Sequence, residues 1–269
     1  MARETGWIVV DGETETPPGV AMFTSTGTNG SNTFTSSAGS ALHGSVGYDV
    51  HMVASSRCWG LKGLGASYAE IYARVYFQIV AGFTISQYQG LDILEIGLGT
   101  DYLAVCCAKI QLINDAATPG LPDHIDIVST PGAINHVVAH AFSAGTPYYI
   151  DLHYKQHASL GAVEGWLNGS LPDAGFSNLN LNTSADAANA VLVGSYSGAD
   201  SGDMYLDDLR VEQTGPIGAY NLGGGPNQVQ QGEWWRPFEY SHHSPRLWTK
   251  SHDLWTPGKE RAKRRILCI

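Results

Sequence analysis

Four carboxylates crowd into one short stretch: Asp200, Asp203, Asp207 and Asp208. Carboxylate oxygens are the natural ligands of a hard cation such as Ca²⁺. The stretch lacks the Asp-x-Asp-x-Asp-Gly order of a dedicated calcium loop, and acidic pairs more often cap a turn or meet an arginine. A structural calcium held by Asp200, Asp203 and Asp207 is therefore the one cofactor the sequence suggests. The ten histidines include two pairs spaced by four, His136 with His140 and His153 with His157. On a strand that spacing separates the side chains by about 13 Å, too far to share an ion. Cys58, Cys106, Cys107 and Cys268 show no Cys-x-x-Cys spacing, so zinc is not expected. Cys106 and Cys107 are adjacent and should point to opposite faces of a strand, as free, packed thiols. Gly-x-Ser-x-Gly elbows, phosphate-cradling loops and dinucleotide fingerprints are absent from the sequence.

The elements that must position these groups alternate with period two. Ile71, Ala73, Val75, Phe77 and Ile79 form one face of a run whose other face is Tyr72, Arg74, Tyr76 and Gln78. Tyr148, Ile150, Leu152 and Tyr154 alternate in the same way with Tyr149, Asp151, His153 and Lys155. Such runs are half-buried strands. Others are expected near 46–54, 91–97, 102–113, 124–128, 134–142, 162–168, 190–194 and 203–212. Turn chemistry separates them, as in Thr118-Pro119-Gly120, Thr130-Pro131-Gly132 and Asn168-Gly169-Ser170. Many strands, short turns and no long amphipathic helix give an all-β, antiparallel sandwich. Residues 25–45, rich in Ser, Thr, Gly and Asn, read as a loop or an edge ribbon of weak register. Residues 184–190 read as a helical turn or a loop.

Composition excludes several classes. Only 15% of residues are charged, too few for a coiled coil, and 43% are hydrophobic, too many for disorder. Residues 1–220 carry 7 basic and 21 acidic side chains, whereas residues 221–269 carry 8 and 4. Nucleic acid is not an expected partner of so acidic a body. No stretch is long and apolar enough for a membrane span, and the first residues lack the apolar core of a secretory signal. The chain divides into a sandwich (1–213), a Gly/Pro-rich linker (214–232) and a basic, Trp-rich arm (233–269). The arm's Trp234, Trp235, Trp248 and Trp255 need a surface to cover, and its Arg261, Arg264 and Arg265 suit an acidic one. It is expected to dock on its own body or on a neighbouring subunit, giving a homo-oligomer or a particle assembly.

Two segments carry a resemblance. One is Tyr148-Tyr149-Ile150-Asp151-Leu152-His153-Tyr154-Lys155 followed by Val163-Glu164-Gly165-Trp166-Leu167-Asn168-Gly169, and the other is Gly202-Asp203-Met204-Tyr205-Leu206-Asp207-Asp208-Leu209-Arg210-Val211. Together they resemble the concanavalin A-like lectin/glucanase (laminin-G-like) superfamily over roughly residues 40–213, which implies a jelly roll. Asn168-Gly169 supplies the positive φ angles of a tight hairpin. Straight alternation of the last segment puts Leu206, Asp208 and Arg210 on one face, with Tyr205, Asp207, Leu209 and Val211 on the other.

Retaining glucanases of this superfamily carry a Glu-x-Asp-x-x-Glu strand whose outer carboxylates are nucleophile and acid/base. The matching positions here are Gly90, Asp92 and Glu95, and a glycine cannot form a glycosyl-enzyme bond. On that ground the scaffold is expected to be non-enzymatic, with Asp92 and Glu95 on an ordinary strand. Sugar binding in such folds uses aromatic faces, and Tyr149, His153 and Trp166 are the candidate glycan platform. The function expected first is a lectin-like building block or adhesion protein on the surface of a phage or viral particle, held to neighbours by its arm. The alternatives are a carbohydrate-binding module of an extracellular protein and a polysaccharide-degrading enzyme.

Overall fold

The structure, a computed structural model, describes residues 8–10, 23–53, 57–130, 134–169, 176–179, 187–195, 200–213 and 217. The expected arm, with Trp234, Trp235, Trp248, Trp255, Arg261, Arg264 and Arg265, lies outside the described residues, as does Cys268. The strands in chain order are β1 (Ile8–Val10), β2 (Ser25–Thr28), β3 (Thr33–Ser37), β4 (Gly47–Met52), β5 (Cys58–Tyr68), β6 (Glu70–Ile79), β7 (Thr84–Ile85) and β8 (Gln89–Gly99). They continue with β9 (Leu103–Asn114), β10 (His124–Ser129), β11 (Ile134–Ala139), β12 (Pro147–Lys155), β13 (Gly161–Leu167), β14 (Phe176–Leu179), β15 (Ala188–Ser195) and β16 (Asp200–Glu212). A single 3-10 turn, Ala38–Ser40, is the helical element among the described residues. The paired strands are antiparallel and form two sheets. Sheet A runs β14-β13-β12-β6-β16-β4-β3, with β1 and β7 also on β16, and sheet B runs β11-β10-β9-β8-β15-β5-β2.

The expected alternation decides which face of each strand is apolar. Ile71, Ala73, Val75, Phe77 and Ile79 are buried on the inner face of β6, beside Ile150 and Leu152 of β12. Leu91, Ile93, Ile110, Leu112, Ile125 and Ile127 of sheet B join them in one core. Each such side chain contributes about 1.5–3 kcal/mol on burial. Gly165 sets how closely the sheets approach, since a Cβ there would lie 2.8 Å from Ile127 of the opposite sheet. The hairpin after β13 turns as its sequence implies, with Asn168 at φ 53° and Gly169 at φ 66°.

Three local expectations are corrected. Residues 25–45 are a ribbon, but a divided one: β2 pairs with β5 in sheet B and β3 with β4 in sheet A. Strand β5 breaks the alternation signal with three glycines. Among residues 184–190, Ala188–Ala190 are strand, and 184–186 lie outside the described residues. On β16 the straight alternation fails at a bulge between Asp207 and Arg210, where Asp208 takes φ 47°. Leu206, Leu209 and Val211 therefore all face the core, and Asp207 and Arg210 lie on the outer side.

Candidate active site on the outer face of sheet B

A β-bulge brings the two carboxylates of β8 together. In the ladder with β9, Asp92 stands opposite Gln111 and Leu94 opposite Ile110, leaving Ile93 as the extra residue. Ile93 and Leu94 both enter the core. The extra residue cancels the odd spacing of Asp92 and Glu95, so both carboxylates leave the outer face. Asp92 is held from β9: Lys109 Nζ lies 3.0 Å from Asp92 Oδ1, and Gln111 Nε2 donates to the same oxygen. Lys109 stands directly opposite Glu95 in register yet reaches diagonally to Asp92.

Glu95 is 3% exposed, and its Oε1 has no hydrogen-bond partner among the described residues. Burial, and then the Asp92 carboxylate, push Glu95 up to about 7, against the opposing pull of Lys109, the Cys106 thiol and Arg57. Burial and the neighbouring Glu95 push the Cys106 thiol up, which leaves it an unreactive thiol. Burial alone would lower Lys109, but Asp92 and then Glu95 outweigh it and hold the ammonium above its usual value. The result is a proton-holding carboxyl beside a fixed anion, the arrangement that general acid–base chemistry near neutral pH requires.

Register extends this pair into a surface. One row across sheet B reads Leu61, Leu192, Glu95, Lys109, Val128 and Asn135, from β5 to β11. Its neighbour reads Asp92, Gln111, Asp126 and Val137. Leu61 and Leu192 belong to a second apolar cluster with Trp59, Leu103 and Ala190. Strands lie about 4.8 Å apart, so the six-strand row is roughly 24 Å wide, with its β5 and β15 end buried at Leu61 and Leu192 and its β11 end exposed at Asn135. Gly90 is on this face too, with Ile113 Cδ1 only 2.3 Å from where a Cβ would stand.

The residues singled out for sugar and calcium lie elsewhere. Tyr149, His153 and Trp166 are on the outer face of sheet A. Tyr149 carries the Arg74 guanidinium 4.5 Å above its ring. His153 is buried between Glu164 and Glu70, with Nδ1 2.8 Å and Nε2 3.1 Å from their oxygens, and stacks on Tyr72 at 4.0 Å. Trp166 faces Asp151 in register, one row away from each of the other two. Asp200, Asp203 and Asp207 are strung along β16 and do not converge. Asp203 meets His51 Nδ1 at 2.5 Å, and Asp207 accepts the backbone N–H groups of Leu42, His43 and Asp208. No group of three or more metal-ligating side chains is present among the described residues. Lys109 and Gln111 escaped the sequence reading. They show there only as the polar half of an alternating run, and the register is what pairs them with Asp92.

No family model matches the chain, and no curated protein matches it. Solved structures do. The endo-β-1,4-glucuronan lyase of the fungus Trichoderma reesei aligns over 78% of this chain and 96% of its own, at TM-score 0.53 and 14% identity. The alginate lyase vAL-1 from Chlorella virus covers 78% of this chain and 100% of its own, at TM-score 0.48 and 11% identity. Alginate lyase Aly36B gives TM-score 0.46 at 12% identity, over 64% of this chain and 82% of its own. The chain thus shares a jelly-roll-like β-sandwich with the glucuronan lyase. No helix among the described residues is long and apolar enough to cross a membrane. The expectation of a non-enzymatic scaffold is corrected: the solved structure that shares this fold at TM-score 0.53 is a glucuronan lyase. That expectation rested on the missing side chain at Gly90, which bears on one mechanism only, and it assumed an unbulged strand at Asp92 and Glu95. Neither the solved structures nor the site support a phage or virion building block.

Proposed function

We propose that the chain is a polysaccharide-cleaving enzyme, in keeping with its resemblance to the lectin/glucanase superfamily. Its site is the outer face of sheet B. Glu95 carries the proton that moves to or from the glycosidic oxygen. Asp92, clamped by Lys109 and Gln111, is the fixed anion that keeps the proton on Glu95. One observation carries the reading: the bulge at Ile93 sets both carboxylates on one face and buries Glu95 with a free acceptor oxygen. A carboxyl pushed up to about 7 can both give and take a proton at neutral pH. The polar rows from β8 to β11, with Lys109, Gln111 and the exposed Asn135, suit sugar hydroxyls.

The test is release of new reducing ends from a panel of polysaccharides by the full chain and by Glu95→Gln. Glu95→Gln should lower the rate by at least about 100-fold, the usual worth of a positioned acid–base group. Cleavage that survives Glu95→Gln unchanged would remove this site from consideration.

A further inference from the structure

We infer that the glycan taken by the outer face of sheet B is uncharged, and that its bond is broken by hydrolysis rather than elimination. This deepens the reading of Glu95 above and rests on it. The warrant is a mismatch between donors and acceptors. Among the described residues of the two central rows, the side chains that can donate, apart from the Glu95 carboxyl when it holds its proton, are Lys109, Gln111 and Asn135. Each already points at a carboxylate of the chain itself. Lys109 and Gln111 both hold Asp92, and Asn135 Nδ2 lies 2.6 Å from Asp126 Oδ2. The acceptors, by contrast, are in surplus. Glu95 Oε1 and Asp126 Oδ1 are buried without a hydrogen bond, the nearest imidazole nitrogen to the latter being His124 Nε2 at 3.5 Å.

A ligand must complement what is left, and what is left asks for donors. Sugar hydroxyls are donors, whereas a uronate carboxylate is an acceptor only. The charge count points the same way. Asp92 and Asp126, joined by Glu95 once it ionises, share these rows with one cation, Lys109, and Arg57, just before β5, acts on Glu95 less than Lys109 does. A polyanion brought here would meet like charge, and juxtaposed like charges are strongly disfavoured. Elimination also needs a neutralising group on the uronate carboxylate, and Lys109 is committed to Asp92. Hydrolysis balances without one. Glu95 gives its proton to the glycosidic oxygen as the bond from that oxygen to the anomeric carbon breaks. The hydroxyl of one water molecule joins the anomeric carbon, and its remaining proton restores the Glu95 carboxyl.

The experiment offers the full chain neutral polymers (β-glucans, xylan, galactan, mannan) beside polyglucuronate and alginate. It reads reducing ends and the ultraviolet absorbance of unsaturated uronates. The expected result is cleavage of a neutral polymer without that absorbance, lost in Glu95→Gln, with the uronans at least about 100-fold slower. Unsaturated product from a uronan overturns the inference, while its loss in Glu95→Gln would leave the assignment of the site standing. Should no polymer be cleaved, the cleavage reading falls, and affinity electrophoresis of the chain through gels containing each polymer decides the substrate class. Retardation by neutral polymers alone upholds it, and retardation by a uronan or by none overturns it.

Discussion

The two outer faces of the sandwich carry similar residue types and treat them oppositely. On β6, β12 and β13 of sheet A the buried charges have met their complements. Arg74 grips Asp151 through two bonds of 2.6 and 2.8 Å and reaches Ile217 O at 3.0 Å. Burial works against the Arg74 charge, but Asp151 outweighs it and holds the guanidinium above its usual value. His153 is braced by two glutamates, and Asp207 by three backbone donors. On sheet B three carboxylates compete for the donors, and an oxygen of Glu95 and one of Asp126 are left over. A satisfied network rigidifies a fold, and a buried mismatch is the signature of a surface that works on something else. The difference teaches that charge density alone does not mark the site. Nor does an unmet atom alone, since Asp49 Oδ1 on β4 of sheet A is also buried without a hydrogen bond. What sets sheet B apart is the pairing of a raised Glu95 carboxyl with a clamped Asp92.

The largest expected effect would break the comparison on the sheet A side. Arg74→Ala strands Asp151 beside the outer face and should cost about 3–5 kcal/mol, as removal of one partner from a buried pair does. Urea denaturation measures it. A loss below about 1 kcal/mol would mean that sheet A is no more satisfied than sheet B.

Glu95→Gln should act in the opposite direction. The Glu95 carboxyl is raised in the folded state, so its contribution is full below the ordinary glutamate value. It declines as the pH climbs to about 7 and beyond. At pH 8 the wild-type chain pays to keep an anion buried. The variant should then be more stable, by up to roughly 3 kcal/mol at about 1.4 kcal/mol per unit. At pH 4 the two should be nearly equal. Thermal unfolding of both across pH 4–8 checks the sign, and a variant equally destabilised at every pH would contradict a buried, proton-holding Glu95.

Smaller again is the packing step between the sheets. Gly165→Ala forces a methyl group towards Ile127 and should cost about 1–3 kcal/mol. Ile127→Val in the same chain should recover part of that loss, since it relieves the contact. No recovery would place the strain elsewhere.

Much of this architecture was legible from alternation. The inner faces of β6, β12 and β10 follow from period two, and the turn at Asn168-Gly169 from its residues. What stayed hidden has one physical cause, the local break in period. Glycines obscured β5, and the bulge at Asp208 rotated the end of β16. The extra residue at Ile93 turned two carboxylates that alternation separates into a pair. A bulge leaves no mark in a single strand's composition, because its register is defined by the partner strand. The aromatic residues Tyr149 and Trp166 stand out in the sequence by their type, whereas the unpaired oxygens of Glu95 and Asp126 are revealed only by the assembled sheets.

The finest comparison sets two neighbours of Glu95 against each other. Lys109→Met removes a positive charge that lowers the Glu95 carboxyl, and Asp92→Asn removes a negative charge that raises it. The first should lift the Glu95 midpoint and the second depress it, each by about one pH unit, the scale of a nearby charge. Carboxyl carbon-13 resonances of labelled Glu95 report both directly, without a substrate. Because Lys109 binds Asp92 rather than Glu95, its loss also frees Asp92 Oδ1 from one of its two donors. Lys109→Arg keeps the charge and should leave the midpoint near that of the wild type. Shifts of the same sign in Lys109→Met and Asp92→Asn would mean that the carboxylates do not share a face, and the bulge at Ile93 would lose its role in pairing them.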